Sequence, residues 1–290
     1  AARHTPSGRT RALKIAADND IAEHALQGEY QVLSRLDHPN VVRVIDLTRE
    51  LFKPRLTLVM ERVGGENLRR WLSENRAPAA QTQRRLAEDL LAGLDYLEQQ
   101  GVTHKDLKPD NLLVGDERLT VIDFSLADQP EDAAYGGTAL YRDPASPRWT
   151  HGTDRYAAAL CLFEIYAGRH AFDGRVPEPG ERPAVQSEDI DPPGLADFFQ
   201  KALHPAPEAR FKSAREMRDA LLAALGARVD EAGTGADAAS VDERTPLRTT
   251  GLSRRAVNAL ARSQVRTVGE LLAMTPEQVR SIHAIGSKTA

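Results

Sequence analysis

The run His104-Lys105-Asp106-Leu107-Lys108-Pro109-Asp110-Asn111, followed by Asp123-Phe124-Ser125, sets carboxylates, a lysine and an amide at short spacing. Those residue types suit phosphoryl transfer, which asks a protein for positioning and charge neutralisation. One carboxylate accepts the hydroxyl proton, a set of oxygens holds magnesium, and a cation meets the moving phosphate.

Such groups need rigid elements to hold them. Residues 81–100 carry Leu86, Leu90, Leu91, Leu94 and Leu97 on one helical face, and Gly101 is placed for a left-handed cap. The polar run therefore sits on a loop leaving a helix. Leu112–Val114 and Leu119–Ile122 read as two strands of a hairpin around Gly115-Asp116, which delivers Asp123 beside Asn111. Upstream, 9–16, 41–45 and 55–63 read as strands, with a helix over 21–36 after the first. That order fits a small sheet lobe with one helix. Downstream, 153–168 is an apolar helix closed by Gly168, and 194–225 holds two amphipathic helices. Residues 226–246, rich in Ala, Gly, Asp and Glu, read as a flexible linker to a second domain over 247–290.

The ordered set over residues 14–210 resembles the protein kinases, whose signature is a catalytic loop, a metal-binding Asp-Phe-Gly and an upstream strand lysine. The resemblance implies an α+β, bilobal protein kinase fold for 1–225 and ATP with magnesium or manganese as cofactors. By it, Lys14 holds the α and β phosphates, Glu29 pairs with Lys14, and Met60 is the gatekeeper before a Glu61-Arg62-Val63 hinge for adenine. Asp106 is the catalytic base, Lys108 steadies the γ phosphate, Asn111 and Asp123 ligate the metal, and Thr138 touches Asp106. His104 is a structural spine residue, and Asp154 and Arg210 are anchors of the helical lobe. Lys108 resembles the serine/threonine class, so the implied partner is a protein with Ser or Thr acceptors.

Departures from that pattern carry their own expectations. The glycine-rich phosphate loop is not in the chain, whose first residues look like the strand and turn after it, so the small lobe reads as truncated before the loop. The start at Ala1 without an initiator methionine and the end at Ala290 read as a piece of a longer protein. Ser125 replaces the glycine of Asp-Phe-Gly and removes easy access to positive φ. Asp143-Pro144-Ala145 replaces Ala-Pro-Glu, which leaves Arg210 without its usual glutamate. Lys105 replaces an arginine and grips a phosphate only as a point charge. Between Leu126 and Gly137 there is no Ser or Thr, which makes constitutive ordering the simpler expectation. The rival readings are a pseudokinase scaffold and a DNA-binding regulator.

The net charge of −4 hides a split, because residues 244–290 hold eight Lys or Arg against two acids, leaving 30 against 40 in the rest. A basic tail on an acidic body suggests that the tail meets a polyanion. Gly251-Leu252-Ser253-Arg254-Arg255-Ala256-Val257-Asn258, Val265–Leu272, Thr275-Pro276-Glu277 and Ile285-Gly286-Ser287-Lys288-Thr289 resemble the C-terminal domain of the bacterial RNA polymerase α subunit. That family implies a small all-α, helix-hairpin-helix module, here ending before its closing helix. It also implies contact with duplex DNA through Arg255, Asn258, Gly286, Lys288 and Thr289, with protein docking as the alternative. A kinase followed by such a module resembles the kinases of bacterial phage-growth-limitation defence systems. Cys161 alone excludes an internal disulfide framework and suits a core position in a reducing compartment. No apolar run reaches the roughly 18 residues that span a bilayer, so the expected location is cytoplasmic, without a membrane partner.

Overall fold

The computed structural model describes residues 2–3, 10–49, 55–75, 78–132, 137–178, 180–185, 190, 192, 194–231, 260 and 265–275, with backbone alone at 2–3 and 227–231. The chain divides into two units, 1–229 and 230–290. Among the described residues no helix is long and apolar enough to cross a membrane.

The first unit opens with an antiparallel sheet of order β1-β2-β4-β3, from β1 (Ala2–Arg3), β2 (Thr10–Ile15), β3 (Val44–Arg49) and β4 (Leu56–Glu61). Helix α1 (Asp20–Leu33) follows β2. The Asn19 side chain accepts from Ala22 N at 2.8 Å and caps its start, and it buries Leu26, Glu29, Val32 and Leu33. Lys14 pairs with Leu58 across the β2–β4 ladder.

The expected strand over 41–45 is shifted. Val41 makes only an isolated bridge to Val121, Val42 N donates to Val121 O at 2.9 Å, and β3 begins at Val44. The two valines are buried and pair outside the four-stranded sheet, so their β-branched character reports burial and not membership of β3.

The rest of the unit is mainly helical. It contains β5 (Glu66–Asn67), α2 (Leu68–Glu74), α3 (Ala80–Gln99), β6 (Leu112–Val114), β7 (Leu119–Val121), α4 (His151–Ala167), α5 (Gly194–Ala202) and α6 (Ala214–Glu231). Strands β5, β6 and β7 form a second small sheet, and Gly115 N donates to Arg118 O at 2.9 Å to close the hairpin. Helix α4 is apolar all round and buried along nearly its whole length, which makes it the central post of the core. A reciprocal Thr150–Thr153 capping box starts it, and Gly168, at φ 67°, ends it. Cys161 is fully buried on it. Helix α6 runs to Glu231, so the first residues of the expected linker are helical. The Ala- and Leu-rich run from Ala214 has the propensity to carry the helix through Gly226, where a Cβ would meet open space.

The usual glutamate partner of Arg210 is absent, as the sequence indicates, but Arg210 still finds a carboxylate. Asp143 takes the place of the absent glutamate: its Oδ2 lies 2.5 Å from Arg210 Nη1 and its Oδ1 3.0 Å from Nη2. Both side chains are buried. His204 O and Pro205 O accept from the same guanidinium at 2.6 and 3.2 Å, and it lies over the Tyr156 ring. A guanidinium fork needs a bidentate carboxylate at the right place in space, and a residue two positions earlier on the loop supplies it.

In the second unit, α7 (Val268–Leu272) is capped reciprocally by Thr267 and Glu270, while Leu260 and Val265 are buried against Val268, Leu271 and Met274. Residues 276–290, and with them the expected hairpin, lie outside the described residues.

Breaking the Asp143–Arg210 pair leaves a buried unpaired charge, which costs about 3–5 kcal/mol. Asp143→Ala should lower stability by about that much in urea denaturation. Asp143→Ala combined with Arg210→Met should lose clearly less, since both charges are then gone.

Candidate active site

The loop between α3 and β6 is tied down from below by α4. Asp154 is buried in the first turn of α4, where its Oδ2 accepts from His104 N at 2.5 Å and its Oδ1 from Lys105 N at 3.0 Å. This holds Lys105 at φ 70°, a left-handed conformation that costs a side-chain-bearing residue energy. His104 is fully buried. Its Nδ1 accepts from Asp106 N at 3.2 Å and its Nε2 donates to Ile122 O at 3.0 Å, which assigns the proton to Nε2. Burial pushes its pKa down, in keeping with a neutral ring. The ring packs edge-on against Phe124 at 4.7 Å between centroids, joining the loop to the segment after β7.

Four donors converge on Asp106. Thr138 N and Thr138 Oγ1 reach its Oδ1 at 2.9 and 3.0 Å, while Lys108 Nζ and Asn111 Nδ2 reach Oδ2 at 2.7 and 3.1 Å. Lys108 Nζ also donates to Thr138 Oγ1 at 2.7 Å. The carboxylate is thus oriented from both sides, beside a cation able to meet a phosphate. A hydroxyl that displaced one of these donors would present its proton directly to the carboxylate.

On the opposite wall, Lys14 Nζ lies 2.6 Å from Glu29 Oε2 and 2.6 Å from Asp123 Oδ1. Burial works against the ammonium, but Glu29 and Asp123 outweigh it and hold the pKa above the ordinary lysine range. Burial pushes Glu29 up, with Lys14 only partly offsetting it. An ammonium held between two carboxylates favours the charged pair. Despite burial, the hydrogen bonds from Lys14 and Ser125 hold Asp123 below its usual value.

Asp123, not residue 125, has positive φ, at 64°, and Ser125 lies in the turn after it. The serine therefore carries no positive-φ strain in this conformation. Ile122 N donates to Asn111 O at 2.9 Å, which brings Asp123 alongside Asn111. Asn111 uses its Nδ2 on Asp106 O and Oδ2, which turns its amide oxygen away from them. One carboxylate and one amide oxygen form the hard donor set that magnesium favours, so the residues fit the metal. Among the described residues no cluster of three or more His, Cys, Asp or Glu offers another metal site.

Met60 packs half-buried against the core. Glu61 N donates to Arg43 O at 2.9 Å, and the Glu61 side chain lies 3.5 Å from Arg118. The Glu61 N–H is therefore committed to the backbone of Arg43, just before β3. Arg255, Asn258, Gly286, Lys288 and Thr289 lie outside the described residues.

Two contacts were not visible in the sequence. Lys105 Nζ donates to Ala127 O at 3.0 Å and to Gln129 O, so it grips the segment after Asp123 by its backbone. Trp149 N donates to Glu131 O at 2.8 Å and holds the same segment further along. Gly137 permits the return path: at φ 79°, a Cβ there would lie 2.8 Å from Lys105 O and from the Trp149 ring.

A two-lobed domain with this cleft is a protein kinase domain, and the comparisons agree. The protein kinase domain family matches residues 1–220, and the protein belongs to it. Residues 240–290 match the C-terminal domain of the bacterial RNA polymerase alpha subunit. The protein is similar to "Probable kinase PglW" of Streptomyces coelicolor, with 29% identity over 97% of its own length and 23% of that relative. It is also similar to serine/threonine-protein kinase PknI of Mycobacterium tuberculosis, with 30% identity over 78% of its own length and 39% of that relative. Serine/threonine-protein kinase PkaA of Streptomyces coelicolor is 36% identical over 58% of the present sequence and 34% of the PkaA length. The 290 residues therefore span well under half of each of these relatives.

Because the segment after Asp123 is held through backbone carbonyls, its order does not call for an added phosphate. Phosphatase-treated protein should keep most of its initial phosphotransfer rate. A fall of about tenfold that preincubation with ATP restores would contradict this.

Proposed function

We propose that the protein transfers the γ phosphate of ATP to serine or threonine hydroxyls of a protein substrate. The observation that carries this reading is the double constellation across one cleft. Lys14 is paired with Glu29 and Asp123 on one wall, and Asp106 is flanked by Lys108 and Thr138 on the other. In this reading Asp106 receives the hydroxyl proton, Lys108 meets the γ phosphate, and Lys14, kept in place by Glu29, meets the α and β phosphates. Asn111 and Asp123 would hold magnesium or manganese, which when bound neutralises charge on the phosphates. Met60, Glu61 and Val63 border the place of adenine. The names of PknI and PkaA support serine and threonine as acceptors.

Residues 247–290 are assigned to duplex DNA, on the strength of the polymerase-like match and of eight basic residues against two acids from 244 onward. Arg255, Asn258, Gly286, Lys288 and Thr289 are the proposed contacts. Similarity to PglW over 97% of the sequence covers kinase and tail together. The same domain order resembles kinases of phage-growth-limitation defence systems, so the reading includes a place in bacterial phage defence, in the cytoplasm.

Asp106→Asn should abolish phosphate transfer to protein while leaving nucleotide affinity nearly unchanged, because that carboxylate orients the acceptor and not ATP. Labelled ATP and a nucleotide-binding assay on the full-length protein separate the two effects. A wild type that binds ATP but labels no protein with either metal would hand the domain to the scaffold reading.

The tail should bind duplex DNA weakly, with little sequence preference and steep salt dependence. Lys288→Ala should reduce the salt slope by about one unit in fluorescence anisotropy, as for a lost phosphate contact. Binding unaffected by Lys288→Ala or Arg255→Ala would favour protein docking instead.

A further inference from the structure

On the face of the first sheet turned away from Lys14 lies a group of arginines that the transfer reaction does not use. Side chains alternate along a strand, so Arg11, three positions before Lys14 on β2, projects from the opposite face. It pairs with Glu61 across the β2–β4 ladder, whereas Ala12 pairs with Met60 and Lys14 with Leu58. Arg43 precedes β3 and Arg62 follows β4, and Glu61 N, donating to Arg43 O at 2.9 Å, ties these two strand ends together. The β3–β4 ladder is irregular between Val44 and Asp46, a bulge that re-aims the strand at this point. Arg11, Arg43 and Arg62 line one concavity of about 690 Å³, together with Glu61, Val44 and Ile45.

Other arginines of this unit are matched by acids. Arg49 of β3 meets both oxygens of Glu23, at 2.7 and 2.6 Å, and Arg70 and Arg84 pair with glutamates one helical turn away. Among the described residues, none of Arg11, Arg43 and Arg62 has an ion pair or a side-chain hydrogen bond. The Glu61 carboxylate is drawn to Arg118 of the β6–β7 hairpin, 3.5 Å away, and Asp46, next to Ile45, accepts from Leu47 N at 2.8 Å. Three guanidiniums thus share one space, although residues 1–243 carry only 30 Lys or Arg against 40 acids. Like charges held together are unfavourable until an anion enters between them.

We propose that this concavity is a binding site for a compact oligophosphate group, separate from the cleft that holds Lys14. A guanidinium presents a planar fork of donors that matches phosphate oxygens, and three of them suit a group with several negative charges. The volume is that of a small-molecule pocket and not of a nucleic-acid track, and the acidic surroundings disfavour a duplex. Ile45 is exposed at the margin, so a nucleotide and a free oligophosphate share the arginine contacts and differ only in what meets that apolar side chain.

The test is calorimetric titration of tripolyphosphate into the full-length protein without divalent metal. Arg11→Gln, Arg43→Gln and Arg62→Gln should each weaken binding about tenfold, the scale of one charge-assisted hydrogen bond, whereas Lys14→Met should leave it unchanged. Competition separates the two sources, since ADP and pyrophosphate carry two phosphates each. ADP displacing tripolyphosphate at the lower concentration assigns the site to a nucleotide, and pyrophosphate competing as well or better assigns it to a free oligophosphate. No binding to the wild type, binding indifferent to the three arginines, or a loss confined to Lys14→Met overturns the proposal. So does a short DNA duplex whose affinity falls with the arginine substitutions while that of tripolyphosphate does not, which gives the surface to nucleic acid. Because these side chains hold no partner among the described residues, each variant should keep the wild-type melting temperature, and a loss of binding that comes only with loss of the fold also overturns the proposal.

Discussion

Two backbone N–H groups donating to one buried carboxylate decide where everything in the cleft lies. Asp154 is removed from water in the first turn of α4, and burial pushes its carboxyl up to about 7 against the pull of the N–H groups of His104 and Lys105. Neither N–H has a neighbouring strand to pair with, so without Asp154 two donors would be buried unsatisfied. In satisfying them, α4 forces Lys105 into a left-handed conformation and sends consecutive side chains to different jobs. His104 goes inward against Phe124, Lys105 toward the segment after Asp123, and Asp106 into the cleft. The rigidity of the site comes from the helix beneath it.

The cleft is then a matter of matching charges across elements. Glu29, Asp123, Asp106, Asp110 and Glu164 each face a cation supplied by another element or another part of the loop: Lys14, Lys108 or Arg69. Partly exposed pairs of this kind contribute little to stability. Their value is geometric, because each fixes the position of a side chain in the cleft. Lys105 extends the logic to a segment without Ser or Thr. A lysine cannot grip a phosphate bidentately, but its ammonium can hold two carbonyls at once.

Sequence made most of the site legible because its chemistry lies in short runs. Lys108 and Asn111 are two and five residues from Asp106, and the loop that carries them brings all three together. The helices were legible because apolar spacing along α1, α3 and α4 maps onto buried faces. What stayed hidden depends on contacts distant in sequence. The pairing of Asp143 with Arg210 spans 67 residues, and letter-by-letter comparison with Ala-Pro-Glu concealed a carboxylate two positions away. Val41 and Val42 advertise burial, and burial against β7 looks the same in sequence as membership of β3. The contacts of Arg69 with Asp110, Tyr141 and Glu164 draw on α2, the catalytic loop, the segment after Thr138 and α4, which no local pattern connects.

Gly28 shows how the two walls are linked. A glycine inside a helix costs roughly 1 kcal/mol relative to alanine, and nothing in its sequence context calls for one. In the fold, a Cβ at this position would lie 2.3 Å from Asp128 Oδ2 and 2.9 Å from Asp128 Cγ, so the missing side chain is what lets Asp128 lie against α1. Asp128 belongs to the segment whose neighbouring carbonyls, at Ala127 and Gln129, are held by Lys105. Glu29, one residue beyond Gly28, is the partner of Lys14. The same few residues therefore press the segment against α1, seat α1 so that Glu29 reaches Lys14, and take their own anchorage from the backbone geometry that Asp154 imposes on Lys105.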